Sequence, residues 1–276
     1  MADESALART REAATLYRRL IGARLRSQTE YRASFALRVL SALLVSCLDF
    51  VGIVFLFHRL PVIGSWTLPE VAVLYGIAGL AFGLCDGFIG HLDLLHRSIK
   101  DGSFDLVLIR PLGTLFQVLT GDVAFRKVGK ALQALAVLVW GLSRAEITWT
   151  PSRVILLLVT IPSGFVVYGS IWVIGSSATF FVVDAMEVTN AFTYGGNFLC
   201  GYPVNLYGVW VRNLLAFATG LAFVAYFPTL GILGKSDPLG LPPTLQYGSP
   251  LVAVVAASMA GAIWRAAVRH YRSTGS

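Results

Sequence analysis

Apolar residues form six long runs along the chain, separated by shorter basic or polar stretches. A helix needs about 20 residues to cross the hydrocarbon core of a bilayer, so runs of this kind predict transmembrane helices. The third run is short and can begin earlier than its first apolar residue suggests. The predicted spans cover residues 35–57, 68–89, 128–142, 154–183, 211–233 and 249–268. The predicted fold class is an all-α membrane protein with six transmembrane helices.

The composition supports this prediction. Of the 276 residues, 56% are hydrophobic and only 13% are charged, and the mean hydropathy is +0.70. Soluble domains carry about 25% charged residues. No hydrophilic stretch is long enough to form a separate catalytic domain. The first apolar run starts only at Phe35 and is too long for a cleavable signal peptide.

The basic residues predict the orientation of the spans. With the N-terminus inside, most of the 22 lysine and arginine residues border the inner side, while Arg38 lies within the first span. The outer side has only four, which are Arg59, Arg144, Arg153 and Lys235. Because positive residues favour the cytoplasmic side, both termini are predicted to be cytoplasmic. The net charge of +7 then reflects topology, and no nucleic-acid partner is expected.

The same pattern divides the chain into three parts. Residues 1–34 are basic and place Leu16, Leu20 and Ile21 on one helical face, which favours an amphipathic helix lying on the inner leaflet. A frayed polar tail is the alternative. Residues 35–270 form the transmembrane domain, and residues 271–276 form a cytoplasmic tail.

The largest predicted cytoplasmic excursion lies between the second and third spans. Leu92, Leu95 and Ile99 recur at helical spacing, which predicts a surface helix with a partner. Asp101-Gly102 marks a turn, and Pro111 ends the next short element. Further along, the polar residues of 184–210 predict a broken inner loop, and the prolines of 234–248 predict an outer loop.

Motifs for catalysis, nucleotides or metals are absent from the sequence. The nearest string to a P-loop ends in Gly234-Lys235-Ser236, but Thr229 stands where the motif requires its first glycine. The sequence has no His-Glu-x-x-His, Cys-x-x-Cys or Gly-x-Ser-x-Gly motif. We therefore predict no catalytic, cofactor-binding or metal-binding residues in this chain.

Three charged residues are predicted to lie within the membrane, where a charge is costly. Arg38 and Asp86 fall at similar depth in antiparallel spans, so an ion pair or snorkelling explains both. Asp49 lies deeper and follows Arg38 by close to three helical turns, which places both on one face. Asp49 either packs against other helices or contacts a substrate.

Several segments together resemble a known family. The stretch from Asp101 to Leu112, with Asp105, Arg110 and Pro111, resembles the loop between the second and third spans of ABC-2 type permeases. The remaining matching segments are Tyr202-Pro203 to Tyr207, Arg212, Tyr226-Phe-Pro228, Leu233-Gly234, Gly240-Leu-Pro242, Ser249-Pro250-Leu251 and Tyr271 to Gly275. Their order resembles the subfamily related to daunorubicin-type exporters and uncharacterised bacterial ABC-2 membrane proteins.

The resemblance implies more than the composition shows. Such permeases have six membrane helices, an amphipathic helix before the first, and a cytoplasmic coupling helix between the second and third. They dimerise with a copy or a related chain, and they dock on separate ABC ATPase subunits that bind ATP and Mg. Residues 92–110 would contain the coupling element, and Asp101, Gly102, Asp105 and Arg110 match its motif. A multi-pass protein of the bacterial plasma (inner) membrane is expected.

The leading hypothesis is a permease subunit of an ATP-driven exporter. A motor-independent secondary transporter and a membrane-embedded enzyme or assembly factor are the alternatives. The first alternative would need inverted repeats, which the sequence does not show. The second would need an intramembrane catalytic set, and Arg38, Asp49 and Asp86 have no nucleophile or metal partner.

Overall fold

The computed structural model describes residues 32–124, 127–182 and 185–271. The amphipathic helix predicted within residues 1–34 falls almost wholly outside this part of the chain, as does most of the predicted tail. The described residues are mostly helical. A two-stranded hairpin, Val62–Ile63 paired with Trp66–Thr67, is a small departure from the predicted all-α fold.

The main helices follow one another in the order predicted, with shorter elements between them. The helices are α1 (Arg32–Arg59), α2 (Leu68–Phe88), α3 (Leu95–Lys100), α4 (Asp105–Leu108), α5 (Thr114–Leu119), α6 (Val128–Arg144), α7 (Pro151–Ala178), α8 (Met186–Asn190, Ala191–Gly195 and Gly196–Cys200), α9 (Val209–Ala218), α10 (Leu221–Leu233) and α11 (Ser249–Arg269). Short 3₁₀ turns cover Gly90–Leu94, Val204–Leu206 and Pro243–Tyr247.

Four of these helices are long and apolar enough to cross a membrane, namely α1, α2, α7 and α11. They cover the first, second, fourth and sixth predicted spans. Helix α6 lies on the third predicted span and has 17 residues. Helices α9 and α10 together form a fifth candidate, but they are bent by 76°.

Helices α2 and α6 are held together by small residues. A Cβ atom at Gly76 would lie 2.6 to 2.8 Å from atoms of Leu138, and one at Gly83 would lie 2.9 Å from the Ala131 nitrogen. Glycine therefore lets the two backbones approach closely. In membrane helices this close packing replaces the hydrophobic effect as a driving force for association.

The two ends of the bundle are marked by different connections. The end that carries the hairpin at residues 60–67 is called the hairpin end, and the end that carries residues 89–124 is called the loop end. At the hairpin end, the Thr67 amide donates to Glu70 Oε2 at 2.8 Å as α2 begins. Lys235 forms an ion pair with Glu70 at 2.6 Å and donates to the Ser65 carbonyl at 2.8 Å.

The prediction of an inner loop over residues 184–210 is wrong, because α8 runs from one end of the bundle to the other. Thr189 lies against Gly175, near the loop end of α7. Asn205, just after α8, accepts from Trp66 Nε1 at 3.0 Å and donates to the Gly64 carbonyl at 3.2 Å at the hairpin end. Of the polar residues that predicted a loop, Asn205 is bonded at the hairpin end, whereas Asn190 Oδ1 and Asn197 Oδ1 are buried without a hydrogen-bond partner among the described residues.

The prediction of a single span over residues 211–233 is also wrong. Asn205 precedes α9 and Lys235 follows α10, and both contact the hairpin end. The segment therefore enters the bundle and returns to the side from which it came. The reversal occurs at Gly220, whose φ of 70° suits glycine. The next residue, Leu221, reaches α8, where its carbonyl accepts a 3.5 Å hydrogen bond from Cys200 Sγ.

Candidate functional site

The predicted coupling segment begins with a buried apolar face. Leu92 is fully buried, Leu95 is nearly so, and the partly buried Ile99 packs against the same core. The Ser176 hydroxyl of α7 donates to the Leu92 carbonyl at 3.5 Å. A short helix does form here, as the spacing predicts. The expectation that its apolar face meets a partner is wrong for Leu92 and Leu95, because the bundle of the same chain covers them.

The exposed apolar surface at the loop end lies further along the chain. We call this surface the apolar ledge; it comprises Leu106, Leu108, Ile109 and Leu112. Ile109 has 78% of its surface exposed, an unusual state for isoleucine. Contiguous exposed apolar residues mark interaction surfaces. Helical spacing did not single out the ledge, although it lies within the motif that carries the family resemblance.

The ledge is fixed to the rest of the protein by aromatic residues. Phe104, immediately before α4, is fully buried and packs edge-on against Phe180 and Tyr271, with ring centroids 5.1 Å away in each case. The Tyr271 hydroxyl donates to Asp105 Oδ1 at 2.9 Å. Trp264 Nε1 of α11 donates to Thr114 Oγ1 of α5 at 3.1 Å. Displacement of the ledge would therefore move the loop ends of α7 and α11.

The other predicted motif residues shape the turn before the ledge. Asp101 Oδ1 accepts from the Ser103 amide at 3.0 Å, and the hydrogen bonds from Ser103 lower the pKa of this exposed carboxyl. Gly102 has a φ of 72°, which glycine adopts readily. Arg110 and Pro111 are exposed at the edge of the ledge. Arg110 also lines a cleft of about 410 Å³ beside α5.

A buried ion pair lies at the loop end of α2, with a different partner from the one predicted. Asp86 pairs with Lys127 at 2.5 Å, while Arg38 is exposed on α1. Of the two explanations open for Arg38 and Asp86, their mutual ion pair is wrong, because Lys127, immediately before α6, reaches Asp86 instead. Snorkelling of Arg38 stays a prediction. Gly90 lies so close to this pair that a Cβ atom there would overlap Asp86 Oδ1.

Tyr194 connects the ion pair to the coupling segment. Its hydroxyl lies 3.0 Å from Asp86 Oδ1 and 3.2 Å from Asp93 Oδ2. Asp93 also accepts from Trp172 Nε1 of α7 at 2.8 Å. Burial raises the pKa of Asp93, although the hydrogen bonds from Trp172 and Tyr194 oppose this shift. The network ties α2, α7 and α8 to the 3₁₀ turn at Gly90–Leu94.

Asp49 lies on the exposed side of α1 and borders a cavity between α1, α2, α6 and α8. Arg38 is exposed on the same helix, so the structure brings neither residue to Asp86. Within the described ranges, no group of three or more histidine, cysteine, aspartate or glutamate residues is arranged to hold a metal ion.

The sequence model of the ABC-2 family transporter proteins matches residues 43–275, which is most of the chain. This chain belongs to the ABC-2 transporter family. No curated protein and no solved structure matches it. The resemblance to ABC-2 type permeases is thus confirmed at the level of the family, while the daunorubicin-related subfamily stays a prediction.

Family membership defines the broad role of the ABC-2 chain. It is a multi-pass membrane protein and a membrane transport component of an ABC transporter. Members of this family work with ABC ATPase subunits and normally have no catalytic site of their own. The apolar ledge and its aromatic anchors are the features of this chain that suit contact with such a subunit.

Proposed function

We propose that this ABC-2 chain is the permease subunit of an ATP-driven exporter and that the apolar ledge receives the ATPase subunit. The observation that carries the proposal is the exposed Ile109 beside the fully buried Phe104. One side of this short segment is free for a partner, and the other is locked to the bundle. This is the arrangement that a mechanical coupling element requires.

The proposed topology has six crossings with both termini in the cytoplasm. Helices α1, α2, α6, α7, α8 and α11 cross the bilayer, and α9 and α10 form a re-entrant pair from the hairpin end. The loop end is then cytoplasmic, in agreement with Arg97, Lys100 and Arg110 in its connections. In a bacterial cell this places the protein in the plasma (inner) membrane.

Coupling follows from the connections of the ledge. An ATPase that binds ATP and Mg would change its contact with the ledge between two states, since a ligand shifts a conformational equilibrium only by differential affinity. Movement of α4 would pass through Phe104 to Phe180 and Tyr271, and so to the ends of α7 and α11. The turn at Gly90–Leu94 would transmit the same movement through Asp93 to Tyr194 in α8.

We further propose that a second permease subunit completes the translocation path. Helix α1 has only 11% of its apolar window buried within the chain. Its exposed face, with Leu44 and Leu48, is free to contact lipid or a second copy. The chain itself then supplies half of the path and has no ATP-hydrolysing site.

The test is co-purification with a co-expressed ABC ATPase from the same genome, followed by transport-linked ATP hydrolysis in proteoliposomes. Ile109→Asp should abolish co-purification while the permease still inserts. Leu60→Asp is the matched control, because Leu60 is 55% exposed at the opposite end. Equal co-purification of the two variants would overturn the proposed docking surface.

Charge reversal at Arg110 tests coupling separately from docking. Arg110→Glu should leave insertion intact and reduce the ATP hydrolysis that accompanies transport. Asp105→Lys should have the same effect but also lowers stability, because Asp105 accepts a hydrogen bond from Tyr271. Unchanged transport by an Asp105→Lys/Arg110→Glu double variant would count against coupling through this segment.

A further inference from the structure

A polar cavity of about 150 Å³ lies within the proposed membrane-embedded region, between α1, α2, α6 and α8. This location is unusual, since the proposed membrane helices that form it are largely apolar. Its polar lining consists of Asp49, Tyr75, Lys130, Gln133, Tyr194, Asn197 and Tyr202. One water molecule needs roughly 10 to 15 Å³ by this measure, so the cavity has room for on the order of ten water-sized groups.

Two amides in the wall lack the partners that buried polar groups require. Gln133 is 95% buried, with a relative exposure of 5%, and its Nε2 donor has no acceptor among the described residues. The Asn197 Oδ1 acceptor, also buried, has no donor there. The Tyr75 hydroxyl lies 3.5 Å from Gln133 Oε1 and 3.3 Å from the Ser46 carbonyl, so these two acceptors share its single proton. Gln133 therefore has hydrogen-bonding capacity left for a molecule in the cavity.

Two charged groups in the wall also lack ion-pair partners in the part of the chain that the structure describes. Lys130 Nζ lies 4.2 Å from the centre of the Phe82 ring and forms no salt bridge. Asp49 of α1 forms none either. The cavity thus offers unmet donors at Lys130 and Gln133 and unmet acceptors at Asn197 and Asp49.

We propose that this cavity binds a neutral, hydroxyl-rich headgroup of sugar type on the transported molecule; the assignment of the molecule as cargo rests on the proposed function. Each hydroxyl both donates and accepts, which matches a wall with free donors and free acceptors. An anionic headgroup would face Asp49, and a cationic one would face Lys130. A hydroxyl-rich group meets neither repulsion.

The mouth of the cavity accounts for the apolar part of such a molecule. Phe198 of α8 lines the cavity and is 60% exposed, whereas Ile53 of α1, which also lines it, is almost fully buried. An alkyl chain attached to the headgroup would lie against Phe198 and the exposed face of α1. The same headgroup chemistry could come from a glycolipid or a free sugar, and the exposed rim favours the alkylated form.

Tyr194 links occupancy of the cavity to the loop end. It lines the cavity, and its hydroxyl lies 3.2 Å from Asp93 in the turn at Gly90–Leu94. A headgroup that drew the Tyr194 hydroxyl into the cavity would release Asp93. Bound cargo would thereby alter the segment that leads to the apolar ledge.

The experiment measures binding to the purified permease in phospholipid nanodiscs, without an ATPase. The probes are hexyl β-glucoside and free glucose, with hexyl phosphocholine and hexyl sulfate as headgroup controls. Calorimetry measures the binding of each probe. Hexyl glucoside should bind more tightly than either control, and glucose more weakly than hexyl glucoside. Gln133→Leu and Asn197→Leu should each weaken hexyl glucoside binding about tenfold, the effect of one lost hydrogen bond.

Asn213→Leu is the matched control, because Asn213 is an exposed amide outside the cavity and its loss should leave binding unchanged. If Gln133→Leu or Asn197→Leu fails to fold, the order of the four probes on the unaltered protein still decides the headgroup class. Binding of hexyl sulfate or hexyl phosphocholine as tight as that of hexyl glucoside would overturn the proposal. So would unchanged binding by both leucine variants. These measurements need no ATPase, so a negative result would not contradict ATPase docking at the apolar ledge. Loss of ATPase co-purification would likewise not contradict headgroup binding in the cavity.

Discussion

Helices α1 and α2 are consecutive and both apolar, yet their environments differ sharply. In α2, 83% of the apolar window is buried within the chain, against 11% in α1. When the most apolar 18-residue stretch of each helix is compared, that of the exposed α1 is the more apolar. Helix α2 contains Gly76, Gly79 and Gly83 on its contact with α6, whereas α1 exposes large residues such as Leu48.

This contrast shows that hydrophobicity and burial are separate properties in a membrane protein. Lipid chains are as apolar as leucine, so an exposed leucine costs nothing there, and helices associate through close packing of small residues. Apolar content therefore marks the surface that faces lipid or a second subunit. Small residues mark the core of the bundle.

The largest predicted effect is on the small-residue contact itself. Gly76→Leu should lower the free energy of unfolding by at least about 3 kcal/mol, since the new side chain would overlap the backbone of Leu138 and force α2 and α6 apart. Gly52→Leu in α1 should change it little, because no atom lies within 4 Å of a Cβ at that position. Denaturant unfolding of both purified variants makes the measurement. Similar losses for the two would refute the contrast between the helices.

The second prediction concerns the ion pair that fastens α6 to α2, for which α1 has no counterpart among its described side chains. Lys127→Met leaves Asp86 buried and unpaired, and breaking a buried pair costs about 3 to 5 kcal/mol. The Lys127 side chain is 24% exposed, so we expect a loss near the lower end of that range. Asp86→Leu combined with Lys127→Met should recover most of the lost free energy of unfolding. No recovery in the double variant would show that the residues act through packing instead of charge.

A third, smaller effect is expected at the hairpin that joins α1 to α2. Lys235→Gln removes the ion pair to Glu70 and should cost about 1 kcal/mol, because both side chains are partly exposed. Arg59→Gln, at the same end but exposed, should cost less. Limited proteolysis of the 234–248 loop provides the readout, since loss of the pair frees the end of the re-entrant segment. Equal cleavage rates for both variants would show that the Lys235–Glu70 ion pair does not hold the end of the re-entrant segment.

The sequence was sufficient to predict α1, α2, α7 and α11, because length and apolarity alone decide whether a segment can cross a bilayer. It was insufficient for α8. Asn190 and Asn197 reduce the apolarity of that segment. Only the fold shows that both amide oxygens are buried and that Asn197 lines a cavity between helices. Polarity inside a helix bundle looks identical in sequence to polarity that faces water.

The sequence also does not show whether residues 211–233 cross the bundle or turn back within it. Residues 211–233 have the length and apolarity of a span, and composition does not say whether a chain continues or turns back. Gly220 is a local signal, but a glycine within a membrane helix has several uses. The position of the segment is decided by Lys235 and Asn205, whose partners are remote in sequence.

For the candidate site, residue spacing predicted a helix at Leu92 and Leu95 but not which way its apolar face points. The family motif did include the ledge, so the resemblance located the surface more closely than periodicity did. The partner of Asp86 was missed because depth alone was used to match charges. Lys127 is one of the basic residues that border the inner side, and its position in the sequence does not show that its side chain reaches Asp86.

The smallest predicted effect concerns protons at the loop end of α2. Burial raises the pKa of Asp93 above its ordinary value of 3.8, so the folded state favours the protonated form. The stabilisation is complete below 3.8 and is lost as pH rises through the raised pKa. Asp93→Asn cannot titrate and should remove this dependence of stability on pH between pH 3.8 and neutrality.

Asp101 supplies a control of opposite sign, because its pKa is lowered by the hydrogen bonds from Ser103. Its contribution is present above 3.8 and is lost as pH falls. The thermal unfolding temperatures of Asp93→Asn and Asp101→Asn, measured against pH, should therefore diverge from those of the unaltered protein in opposite directions. Parallel curves would show that Asp93 is more exposed to water than its contacts with Trp172 and Tyr194 imply.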